Sequence, residues 1–108
     1  MSALVVASNY VFDVGDVVRS RGVFRNTSNR ALVDPTDVYV QVEKPDGSIT
    51  SYHYGIDLNV LRESIGSYTV DVPADQSGNW FVRFYSTGLG QAAQEERFGV
   101  RKSRFSNV

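Results

Sequence analysis

The 108-residue sequence contains no cysteine, a single histidine (His53), one tryptophan and three prolines. Without cysteine there is no disulfide framework, no thiolate nucleophile, no cysteine-ligated zinc and no iron–sulfur cluster. One imidazole excludes any metal site built on several. No apolar run approaches the roughly 18 residues that span a bilayer. The opening MSALVVASNY lacks the basic start and long apolar stretch of a signal peptide, so no membrane partner is expected. There is neither a G-x-S-x-G elbow nor a D-x-D-x-D-G calcium loop, so no catalytic residue, cofactor or metal ligand is assigned. Within those limits the composition is that of a globular chain, 42% hydrophobic and 21% charged, with one domain's worth of residues.

Net charge is −1, yet the charges are segregated along the chain. Arg19, Arg21, Arg25 and Arg30 stand together without an acid, and eight acids face only Lys44 and Arg62 between Asp34 and Asp75. Arg97, Arg101, Lys102 and Arg104 crowd the last twelve residues, again without an acid. A near-neutral total argues against a dedicated nucleic-acid binder, because phosphate neutralisation dominates such affinity. Segregated charge suits head-to-tail association between copies, or else a solvated surface with no partner.

Side chains alternate with a period of two almost throughout, the signature of strands. Val18 and Phe24 alternate with Arg19, Arg21 and Arg25, which puts the arginines on the outer face. Val38, Val40 and Val42 alternate with Asp37, Tyr39, Gln41 and Glu43. Lys44-Pro45-Asp46-Gly47-Ser48 is a hairpin turn, since proline presets φ and Asp-Gly accepts positive φ at the tip. Ile49–Tyr54 returns, Val60–Ser64 is a short strand, and Tyr68, Val70 and Val72 face inward in the next. Trp80, Val82 and Phe84, then Phe98 and Val100, complete the inward set. About seven strands with turn signals every 8–12 residues predict a two-sheet antiparallel β-sandwich over 16–101. The segment 1–15 reads as an N-terminal arm or edge strand, and 102–108 as a basic tail.

Four features carry the functional reading. The string Asp75-Gln76-Ser77-Gly78-Asn79-Trp80 is similar to the Asp-x-Gly-x-aromatic corner of immunoglobulin-like sandwiches, with one extra residue before the glycine and tryptophan in place of tyrosine. Trp80 is therefore the expected core keystone, supported by Val40, Tyr68, Val82, Phe84 and Phe98. Tyr39, Tyr52, Tyr54, Phe81 and Tyr85 are expected on outer faces, where aromatics anchor protein interfaces or stack on sugars. His53, near Ser51 and Asp57, lacks the company of a catalytic triad, and no enzyme is expected. The apolar N-terminus (Leu4, Val5, Val6, Tyr10, Phe12) either completes its own sheet edge or joins a neighbour's. Together with Arg19, Arg21, Arg25, Arg101, Lys102, Arg104 and Phe105 it supplies the candidate interface residues.

Several strings resemble a group of small virion structural proteins of tailed bacteriophages and prophages. They are Phe12-Asp13-Val14-Gly15-Asp16-Val17-Val18, Val33-Asp34-Pro35-Thr36, Lys44-Pro45-Asp46-Gly47-Ser48, Gly66-Ser67-Tyr68-Thr69-Val70-Asp71-Val72, Gly78-Asn79-Trp80 and Gly88-Leu89-Gly90-Gln91-Ala92-Ala93. The resemblance covers about residues 12–101, mostly turns and core positions. It implies an all-β, immunoglobulin-like antiparallel β-sandwich of about seven strands. It also implies a non-enzymatic role on the virion, as a head decoration or a neck or tail accessory docked on other virion proteins in symmetric copies. The alternative is a carbohydrate-binding module on a virion or cell surface, using Tyr39, Tyr52, Tyr54 and Tyr85.

Overall fold

The computed structural model describes residues 4–6, 11–87 and 94–102. The expectations placed on Tyr10, Arg104, Phe105 and residues 88–93 lie outside them. The described residues form nine strands and no helix: β1 (Leu4–Val6), β2 (Val11–Asp13), β3 (Val17–Val23), β4 (Asp37–Glu43), β5 (Ile49–His53), β6 (Val60–Ser64), β7 (Ser67–Pro73), β8 (Gly78–Thr87) and β9 (Gln94–Arg101). They make two sheets, ordered β1-β3-β7-β6 and β2-β9-β8-β4-β5. Seven strands, β3 to β9, pair antiparallel and divide between the sheets as in an immunoglobulin-like sandwich. The two short N-terminal strands add in parallel, β1 beside β3 and β2 beside β9. In this structure the N-terminal segment thus forms one edge strand of each sheet of its own sandwich.

The period-two pattern becomes a sealed interior. Val18 of β3, Val38, Val40 and Val42 of β4, Tyr68, Val70 and Val72 of β7, Trp80, Val82 and Phe84 of β8, and Phe98 and Val100 of β9 are all buried. Phe12 joins them at 6% exposure, its ring edge-on to Phe98 at 5.7 Å. That corrects its reading as an interface residue: the β2–β9 pairing turns the ring into its own core. Trp80 is wholly buried and stacks on Phe98, and its indole N–H donates to the Gln76 carbonyl at 2.9 Å. The indole so makes the backward bond that tyrosine makes at the corresponding corner of antibody domains. Gly78 takes φ of 126°, and a Cβ there would lie 2.8 Å from Pro45, so this corner requires glycine.

The segregated charges meet in space. On the outer face of the first sheet Arg19 forms a bidentate pair with Asp71 (2.8 and 3.0 Å), and Arg21 pairs with Glu63 at 2.9 Å. Both contacts follow from the β3-β7-β6 order, which lays the arginine strand along the acidic segment. Arg101 pairs with Asp13 at 2.9 Å, and Lys44, which also lies over the Trp80 ring, pairs with Asp75 at 3.0 Å. Arg25 donates to the Arg30 carbonyl and helps hold the loop between β3 and β4, while Lys102 is exposed.

Asp34 anchors that loop to the first sheet. Its carboxylate accepts from Arg62, from the Gly66 amide at 2.9 Å and from the Tyr68 hydroxyl at 3.0 Å. Arg62, foremost, and the other donors hold Asp34 down at about 2, whereas burial, aided by the carboxylate, pushes Tyr68 up to about 12.

Candidate docking face on the five-stranded sheet

Strands in β9-β8-β4-β5 order place their odd-numbered residues on one outer surface, in cross-strand rows set by the register. One row is Tyr85, Tyr39 and His53; the next is Glu95, Arg83, Gln41 and Ser51; the third is Arg97, Phe81, Glu43 and Ile49. The second and third rows frame an open depression of about 390 Å³, with Gln41, Glu43, Ile49, Phe81, Arg83 and Glu95 around it and Val82 beneath. Phe81 is 44% and Ile49 59% exposed, large apolar groups on a surface where most neighbours are charged.

The first row is a stack. Tyr39 lies between His53 (4.4 Å between ring centroids, 19° between planes) and Tyr85 (5.2 Å, 17°). The Arg83 guanidinium sits over the Tyr85 ring at 5.1 Å. His53 Nε2 meets Asp37 Oδ1 at 3.2 Å, and the Thr87 hydroxyl donates to the other oxygen of Asp37. Asp57 accepts from the His53 backbone amide at 2.8 Å, which makes it a turn cap and not a partner of the imidazole. The three residues considered for a triad are therefore spread over backbone capping, ring stacking and open surface. Among the described residues no cluster of three His, Cys, Asp or Glu is placed to hold a metal ion.

Two of the expected outer tyrosines are not on this face. Tyr52 shares a register position with Val40 and packs against the core, because the β4–β5 hairpin gives even-numbered residues to the interior. Tyr54 closes the turn after β5 and meets the edge of the Tyr68 ring at 5.1 Å. Only Tyr39, Phe81 and Tyr85 remain, and the faces of both tyrosine rings already carry neighbours from this chain.

The face is also where ionisable groups stand without opposite partners. Among the described residues Glu43, Glu95, Arg83 and Arg97 make no ion pair, in contrast to Arg19, Arg21, Arg62 and Arg101. Sequence reasoning placed the interface on the arginine strand and the two ends, Arg97 among the basic residues of the C-terminal stretch, and missed Arg83 and Glu95. The available signal was the alternation in β8 and β9, which puts 81, 83, 85, 95 and 97 on one side.

A further acid was missed because it points the other way. Glu96 faces inward from β9 toward Ser20 of β3, and among the described residues neither Glu96 Oε1 nor Ser20 Oγ has a hydrogen bond of good geometry. Burial raises the Glu96 carboxyl above its ordinary value, and the nearby Ser20 hydroxyl opposes that shift. Compared with known proteins, the chain matches no protein-family model and no curated sequence.

Proposed function

We propose that this chain is a non-enzymatic structural module of a bacteriophage particle, made in the host cytoplasm and docked on other virion proteins through the outer face of its five-stranded sheet. The observation that carries the docking reading is the open depression around Phe81, rimmed by Glu43, Glu95 and Arg83 that make no ion pair among the described residues. A half-exposed aromatic surrounded by charged groups is the composition of an interface anchor and its rim. The virion assignment rests on the resemblance carried by the turn and core strings. The immunoglobulin-like body supports it only as a rigid platform with a free face.

The tyrosines of the carbohydrate alternative do not favour it on this face. A sugar-stacking aromatic needs an uncovered ring face, whereas Tyr39 is sandwiched by His53 and Tyr85, and Tyr85 is covered by Arg83. The test is particle composition. Mass spectrometry of purified particles should find the wild-type chain in fixed stoichiometry and the Phe81→Glu variant depleted, with the tryptophan fluorescence of the purified variant matching wild type. A wild-type chain absent from particles, or Phe81→Glu incorporated like wild type, overturns the proposal.

A further inference from the structure

Of the four sheet edges formed by the described residues, β5 is the one without a guard. β1 and β2 are three residues each, and β6 carries Arg62 and Glu63 with a register shift between Arg62 and Ser64, all features that discourage pairing with another chain. β5, Ile-Thr-Ser-Tyr-His, has no Asp, Glu, Lys or Arg, no proline and no bulge, and its first three residues are exposed.

Its backbone presents a short, defined set of donors and acceptors. Bonds from Lys44 N–H to the Ser48 carbonyl and from Tyr54 N–H to the Val38 carbonyl fix the phase of the β4–β5 ladder. Residues 48, 50, 52 and 54 therefore face β4, and 49, 51 and 53 face outward. The outward groups of His53 are already used: its amide donates to Asp57, and its carbonyl accepts from Ile56 and Asp57. Among the described residues that leaves Ile49 and Ser51 with unpaired N–H and C=O groups.

We infer that β5 is a homotypic interface, pairing antiparallel with β5 of a second copy about a two-fold axis at Thr50. In an antiparallel ladder two residues that exchange both bonds are flanked by pairs that exchange none. Only a Thr50-centred register matches Ile49 with Ser51 of the second copy and Ser51 with its Ile49, satisfying every free group. Centring on Ser51 would oppose Ile49 to the capped His53, and centring on Ile49 would oppose Ser51 to the hairpin turn. No like charges meet across this axis, since the paired residues Ile49, Thr50 and Ser51 are uncharged. Ile49, which lines the depression, would lie beside the second copy's Ser51, so the two docking faces would become one continuous surface. The inference stands on β5 alone and does not depend on what the depression binds.

The chain's own lack of cysteine makes the register directly testable. Sedimentation equilibrium of the wild type should show a reversible monomer–dimer equilibrium. Ser51→Pro, which removes an outward N–H but no β4–β5 bond, should weaken dimerisation by at least about tenfold with unchanged tryptophan fluorescence. Under mild oxidation Thr50→Cys should cross-link as a dimer, because its Cα atoms would stand roughly 4.5 Å apart across the axis, and Ser51→Cys should not. A wild type that stays monomeric at every concentration, a Ser51→Pro variant that dimerises like wild type, or preferential cross-linking through Ser51→Cys each overturns the inference.

Discussion

Replacing Gly22 by alanine adds one methyl group between the two sheets, at a point where the space is already filled. A Cβ on Gly22 would lie 2.4 Å from Phe84 Cγ, 2.6 Å from Cδ2 and 2.8 Å from Cβ. Non-bonded carbons prefer about 3.5–4.0 Å, so Phe84 must retreat by more than about 1 Å. Turning the ring does not help, because the Phe84 Cβ is itself too close, and the side chain is 1% exposed with core on every side. The sheets must part locally. Overpacking of this kind costs about 1–3 kcal/mol, and a clash with an immobile Cβ belongs near about 3. The competing effect has the opposite sign: in a strand with room to spare, glycine to alanine gains about 0.5–1 kcal/mol by reducing chain entropy. Sign alone therefore separates the two accounts. Trp80 is the single tryptophan and is buried, so its fluorescence reports global unfolding in urea. With a slope near 1.5 kcal/mol/M, about 3 kcal/mol lowers the urea midpoint by about 2 M. Phe84→Ala, which removes the Cγ and Cδ2 atoms nearest that methyl, should make Gly22→Ala cheaper in its background, a coupling of roughly 1–2 kcal/mol. A midpoint for Gly22→Ala equal to or above wild type, or strictly additive effects in the double variant, would refute the packing argument.

Asp34 gives an acid-side prediction. Its folded pKa, about 2, lies below the ordinary 3.8, so its contribution is complete above that ordinary value and is lost as pH falls toward about 2. Asp34→Asn should lower the urea midpoint at pH 6 and flatten its decline below pH 4; parallel profiles for the two proteins would contradict this. Glu96 gives the opposite slope, because its raised folded pKa means that stability falls as pH rises from the ordinary 4.5 through the folded value. Glu96→Gln should raise the thermal midpoint at pH 7, by an increment that shrinks toward pH 4, and an increment independent of pH would point to packing. Phe81→Glu, on a half-exposed side chain, should change stability by no more than about 0.5 kcal/mol in the same urea assay, and a larger loss would make Phe81 a folding residue.

Where alternation was strong, it was enough to assign both faces of a strand. β4 and β8 set valine and large aromatic residues against polar and charged ones, so their inward sets and Trp80 were legible without coordinates. β5 was not legible. Ile-Thr-Ser-Tyr-His has no apolar alternation, and its faces are decided by the hairpin register across Lys44–Ser48, which turns Tyr52 inward opposite Val40. The parallel pairings of β1 and β2 carry no local signal, since the same short apolar segments suit an edge in either direction. Glu96 is the instructive case: strict alternation in β9 already put it on the side of Phe98 and Val100, and only the habit of placing acids outside hid it. Asp34 was visible only as part of an Asp-Pro-Thr turn, because its three donors come from β6, the β6–β7 turn and β7.

The charge segregation in the sequence also changes meaning once the sheets are assembled. Read linearly, the arginine strand is a positive surface awaiting a negative partner. In the fold its Arg19 and Arg21 are met by Asp71 and Glu63, which stand more than forty residues away in sequence and beside them in the sheet. Such part-exposed pairs add little stability, but they occupy the face: a docking partner would have to break them and leave their members unpaired. On the second sheet the described pairs, Arg101 with Asp13 and His53 with Asp37, stand at the margins of the face. Arg83 is held over Tyr85, while Arg97, Glu43 and Glu95 have no ionic partner among the described residues, and Phe81 stands among them half-exposed. Electrostatic steering and burial of apolar surface therefore favour the same sheet, the one on which Glu43, Arg83, Glu95 and Arg97 keep no ionic partner among the described residues.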